Sequence, residues 1–167
     1  MSDTNAASVH LPVRPEWLAL RPEAAIEPDL PIVEPHHHLW TRPGYDYLIP
    51  EFLSDIDGLN VRATVFVECH EKYRTDGDPA FRPVGETEFI AGLAQSRAGS
   101  GAQTQFCAGI VGNADLTLGD GVKAVLEAHI AAGDGRFRGI RNISAWHPDP
   151  AAECDRIEAE QWQQLKT

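Results

Sequence analysis

The stretch Val61-Arg62-Ala63-Thr64-Val65-Phe66-Val67-Glu68 decides how this chain is read. β-Branched and aromatic residues occupy both alternating faces of the run, and such two-sided apolar character belongs to an interior strand of a parallel sheet, covered on both faces. Three more runs have the same look: Pro31 to His36, Thr104 to Val111 and Phe137 to Ile143. Stretches of helical period separate them. Ile49, Phe52, Leu53 and Ile56 share a face, with Pro50 in the first turn and Gly58 as the stop. After a polar loop from 72 to 82, Phe89, Ile90, Leu93 and Ala94 mark a second helix, ended by Gly-Ser-Gly at 99–101. Leu118, Val122, Val125, Leu126 and Ile130 form the stripe of a third, closed by a turn at 132–135. Asp149 as N-cap and Pro150 open a fourth, with Cys154, Ile157 and Leu165 on one side.

The order is βα four times over, and right-handed crossovers between parallel strands make this an α/β protein. Strand starts recur about every 35 residues, whereas a complete (β/α)8 barrel takes roughly 250. Residues 31–167 therefore read as a partial TIM barrel, about half of one. Residues 1–30 read as an irregular N-terminal arm, rich in proline and without apolar period, with Trp17 and Leu18 as its anchoring residues. Four strands alone leave two unpaired edges and set the would-be barrel interior in water, so self-association through the sheet edges is expected.

Composition narrows the function. The 167 residues are 43% apolar and 23% charged, the profile of a globular protein rather than a disordered one. Lys and Arg number 14 against 25 Asp and Glu, a formal charge of −11 that would repel nucleic acid and anionic membrane surfaces. No apolar run reaches the roughly 18 residues of a membrane span, and the opening residues lack the pattern of a secretory signal, so a cytoplasmic location is expected. Cys69, Cys107 and Cys154 form no CxxC pair and read as buried thiols. The GxSxG, GxxxxGK[ST] and GxGxxG signatures are all missing, which removes the usual serine-hydrolase, nucleotide and dinucleotide readings.

The sharpest chemical feature is Glu34-Pro35-His36-His37-His38 at the end of the first strand. Alternation sends Glu34, His36 and His38 to one face and His37 to the other. Two imidazoles on one face can bite a divalent ion, zinc or similar, and the C-terminal end of a parallel strand is where α/β barrels place their sites. A surface histidine cluster is the alternative. Glu68 and His70 end the second strand on one side; Glu68 would contact substrate or serve as a structural acceptor, and His70 reads as a loop residue. Arg141 ends the fourth strand, placed to meet a substrate carboxylate or to pair with Glu68 or Glu34. Trp146 and His147 follow on the next loop, where His147 would contact substrate or simply lie on the surface. His129 and His10 read as solvent-facing or packing residues.

The segments Pro31 to Trp40, Val65 to Cys69, Arg82 to Phe89, Cys107 to Gly112 and Arg136 to Arg141 together resemble the amidohydrolase-related family of TIM-barrel hydrolases, nearest its sugar and dicarboxylate lactonases. The resemblance runs from about residue 30 to about 150, with Glu34 where many relatives carry Asp. It implies a small-molecule hydrolase acting on a lactone or amide-like carbonyl. His36 and His38 would be metal ligands or, in lactonases that work without a metal, groups that polarise the substrate. The remaining ligands and the catalytic base of such a site would lie beyond Thr167, which makes this chain a truncated N-terminal half. Two rivals accompany that reading: a non-oxidative decarboxylase of the same family, and a non-catalytic half-barrel.

Overall fold

The computed structural model describes residues 14–24, 26–42, 45–98 and 103–143. The helix expected after Asp149, the break at 99–101, and the residues Cys154, His10, Trp146 and His147 lie outside them. Of the arm, one helical turn is described, α1 (Pro15–Leu18), and Trp17 in it is 59% exposed, with the Arg14 guanidinium over its ring at 5.7 Å. The main sheet follows in the order the alternation implies. Strands β1 (Ile32–His37), β4 (Val61–Val67), β5 (Gln105–Gly112) and β6 (Phe137–Ile140) lie side by side in that order, all parallel. Between them run α2 (Ile49–Asp55), α3 (Val84–Arg97) and α4 (Val122–Ala132). The described residues thus form an α/β fold with a four-stranded parallel sheet alternating with helices. No helix among them is long and apolar enough to cross a membrane.

Pro50 does sit in the first turn of α2, whose start is held by the Leu48 N–H donating to Glu51 Oε2 at 2.9 Å. Gly58, at φ +78°, stands where the chain must turn left-handed after that helix. The sequence reading missed an antiparallel hairpin, β2 (Trp40–Arg42) with β3 (Tyr45–Tyr47), inserted between β1 and α2. Its signal was present as Pro43-Gly44 between aromatic residues.

The core lies on one face of the sheet. His37, Phe66, Ile110 and Phe137 stand in register across the four strands. Helices cover this row: Phe52 of α2 meets His37, Ile90 and Ala94 of α3 join Phe66, Phe106 and Ile110 in the main cluster, and His129 of α4 stacks on Phe137 at 5.1 Å. A second cluster forms from Val84, Ala114 and Val125. On β4, the strand expected to be covered on both faces, the opposite face carries buried Val61 and Val67 beside half-buried Ala63 and Val65, whereas Val33 on edge strand β1 is 58% exposed.

The stripe expected for the third helix also shifts. Leu118 belongs to a 3-10 segment, Leu116–Gly121, and Ile130 is 61% exposed. His129 takes the buried position instead. Its Nε2 donates to Asn113 O at 2.9 Å and its Nδ1 accepts from Thr87 Oγ1 at 2.8 Å, so one imidazole ties α4 to α3 and to the loop after β5. Burial holds its pKa below the usual histidine value.

Candidate functional site

The C-terminal ends of β1 and β4 bring His36 and His38 together. Their Nε2 atoms stand 3.2 Å apart, with the rings edge to face. His38 lies just past the end of β1 and donates Nδ1–H to Val67 O at 2.7 Å, which fixes its tautomer and makes its Nε2 the acceptor of the His36 Nε2–H. Two zinc–nitrogen bonds of about 2.0–2.1 Å meeting at a tetrahedral angle set their nitrogens about 3.3–3.4 Å apart, so this spacing fits the bite of a single ion. Burial lowers the pKa of His38 and keeps its ring neutral, as ligation requires. Glu34 is committed locally, its Oε1 accepting the His36 N–H at 3.0 Å. No group of three or more His, Cys, Asp or Glu side chains able to hold a metal occurs among the described residues. The described chain supplies two nitrogens of a coordination shell.

His37 faces the other way. It is buried against Phe52, Phe66 and Phe106, with Nε2 2.9 Å from Thr64 Oγ1. Burial first, then the neighbouring His38, pushes its pKa down to about 4. It is a neutral core residue. The register between β1 and β4 shifts between Glu34 and His37, yet the two outer imidazoles still converge, because His38 is held by the β4 carbonyl rather than by strand alternation.

Glu68 and Arg141 meet each other. Arg141 follows the last residue of β6 and keeps the ladder going by donating its N–H to Gly112 O at 2.8 Å. Its Nε donates to Glu68 Oε1 at 2.7 Å and its Nη2 to Glu68 O at 2.6 Å. Glu68 is fully buried, whereas the Arg141 side chain is 37% exposed. The ion pair is thus one of the two alternatives open for Arg141, and it leaves Nη1 of the partly exposed guanidinium without a hydrogen bond among the described residues. His70 Nε2 lies 3.6 Å from Glu68 Oε2, and its ring stacks on Tyr73 at 5.2 Å.

Sequence reasoning passed over Glu86, in the first turn of α3 and 1% exposed. Its Oε1 accepts the N–H groups of Cys69 at 3.0 Å and Glu71 at 2.7 Å, clamping the loop that leaves β4 directly after Glu68. Burial raises its pKa to about 7, and the nearby Glu68 adds to the rise. The signal was an acidic residue inside the Arg82 to Phe89 segment, set where a helix must dock. Cys107 is buried and Cys69 half-buried, and burial pushes both thiols up to about 12.

A protein of Sinorhizobium fredii (strain NBRC 101917 / NGR234), described as uncharacterized protein y4mH, is 29% identical to this chain over 145 residues, covering 74% of this chain and 43% of that protein. The chain spans less than half the length of the relative it matches. No family model matches the chain, and no solved structure does.

Proposed function

We propose that the chain forms the front part of a TIM-barrel carbonyl hydrolase of the amidohydrolase-related kind, acting on a small lactone or amide-like substrate, with a divalent ion held at His36 and His38. The observation that carries this reading is the 3.2 Å approach of the two Nε2 atoms at the C-terminal end of the parallel sheet, the end at which such sheets gather their sites. A bound divalent ion supplies a Lewis acid for the carbonyl oxygen and lowers the pKa of water. The protein's own groups do the rest. His38 keeps its Nε2 aimed by donating to Val67 O, Glu68 holds the Arg141 fork in place, and the outer N–H groups of Arg141 bind a substrate or product carboxylate. His147, outside the described residues, is assigned to substrate contact as the sequence suggested. Two imidazoles are half of a four-coordinate shell. The further donors and the base belong, in this reading, to polypeptide that completes the barrel, and the greater length of the Sinorhizobium relative supports that.

The test is zinc titration of this chain by calorimetry, together with proton release from a panel of lactones by the longer polypeptide that completes the barrel. The expected result is zinc uptake that disappears in His36→Ala and His38→Ala, with acid released rather than carbon dioxide. Absence of zinc uptake, or uptake that both substitutions leave unchanged, overturns the metal assignment. Carbon dioxide release from a carboxylated substrate would move the reading to the decarboxylase.

A further inference from the structure

At the other end of the sheet, a cavity of about 450 Å³ opens between the end of α3 and the starts of β5 and β6. Three arginines line it: Arg97 from the last turn of α3, Arg136 just before β6, and Arg138 within β6. In a chain carrying 14 cations against 25 anions, the gathering of three on one small cavity reverses the local sign of the field. From the geometry we infer a binding site for a small oxyanion, a ligand carrying a phosphate group or paired carboxylates.

The arginines are held in place, with donors to spare. Arg138 Nη1 donates to Gly135 O at 2.7 Å and to Phe137 O at 3.0 Å, and its Nη2 to Ala108 O at 3.5 Å, which pins its guanidinium while its Nε makes no bond among the described residues. Arg136 spends Nη1 on Asp134, at 3.2 Å to the carbonyl and 3.4 Å to Oδ2, and its Nε and Nη2 make no bond among the described residues. The Asp134 side chain is 64% exposed, so solvent screens that pair. Arg97 makes no hydrogen bond or ion pair among the described residues. Complementing the C-terminus of α3 accounts for Arg97 alone, not for two arginines on a different element. Among the described residues that line the cavity there is no Asp or Glu. Planar forks with free N–H pairs match the two-oxygen edge of a carboxylate or phosphate. Thr104 and Gln105 add uncharged polar lining. Three positive charges call for a ligand of at least two negative ones.

Calorimetry or chemical-shift titration of the full chain with inorganic phosphate, and separately with succinate, against sodium chloride at matched ionic strength, tests the site. The expected result is one anion per chain for at least one of the two probes, with a raised Tm that chloride does not reproduce. Preference for phosphate assigns a phosphate ester, and preference for succinate a dicarboxylate. Arg97→Ala and Arg138→Gln, at positions that leave the core untouched, should each weaken binding about tenfold or more, while His36→Ala leaves it unchanged. Binding no stronger than chloride, or affinity unaltered in both arginine variants with their Tm intact, overturns the proposal.

Discussion

A single buried carboxylate illustrates how much one residue can govern here. Glu68 is fully enclosed, and Arg141 satisfies one of its oxygens and its backbone carbonyl. Removing the arginine would strand the charge, a loss of 3–5 kcal/mol for a fully buried pair and, with Arg141 partly exposed to screening water, about 2–3 kcal/mol here. Arg141→Ala should show that loss in denaturant melts, whereas Arg141→Lys should recover only part of it because an ammonium cannot make both contacts. Two other residues set opposite pH slopes. His37, with a folded pKa near 4 against 6.5, leaves the unfolded chain binding the extra proton between those values, so its contribution to stability rises with pH there. Glu86, raised from 4.5 to about 7, makes the folded chain the better proton binder, so its contribution falls as pH climbs through that window. Glu86→Gln keeps the Oε1 acceptor and removes the titration. It should gain on the native chain from pH 5 to pH 8 by on the order of 2 kcal/mol, measured as the difference between their unfolding free energies. A gap independent of pH would mean that Glu86 is not the proton holder.

Elements dock here by close backbone approach, and α3 is the clearest case. A Cβ on Gly85 would stand 2.5 Å from Lys72 O and 2.8 Å from Arg74 N, both main-chain atoms. Helix propensity alone favours Gly85→Ala by up to about 1 kcal/mol. Steric conflict predicts a loss of about 1–3 kcal/mol instead, so the sign of the change in Tm decides between local preference and docking. The same contact explains why the loop from 69 to 74 is ordered tightly enough to present Glu68 and His70. Arg74 reaches back to Glu88 of α3, and Glu86 holds the 69 and 71 amides. For α4, Val122, Val125 and Leu126 pack as the helical stripe implied, and only its last position, Ile130, is exposed. An imidazole that finds both a hydroxyl and a carbonyl partner is buried in preference to the isoleucine beside it.

The described residues leave apolar surface and strand edges open. Among the described residues β1 and β6 each pair on one side only, and the sheet face away from the helices is half-covered. Such edges template pairing with another chain. Light scattering across a concentration series should show self-association, and Val33→Lys, which puts a charge on the exposed β1 edge, should shift the distribution toward monomer. A monomer at every concentration would count against the open-edge argument. The net charge of −11 opposes such association, so added salt should promote it within the Debye range.

The strand and helix order was readable from periodicity because burial of one face repeats every two or 3.6 residues whatever the rest of the chain does. The parallel βα alternation, the strand-end imidazoles and the left-handed turn at Gly58 all follow from such local patterns. Pairings across distance were not readable. That Arg141 pairs with Glu68 rather than Glu34, that Glu86 anchors a loop, that His129 replaces Ile130 in the core, and that Arg97 joins Arg136 and Arg138 around one cavity depend on which residues the crossovers bring side by side. Sequence spacing carries no information about partners 17 to 73 residues apart; only the folded sheet, by setting those distances, decided them.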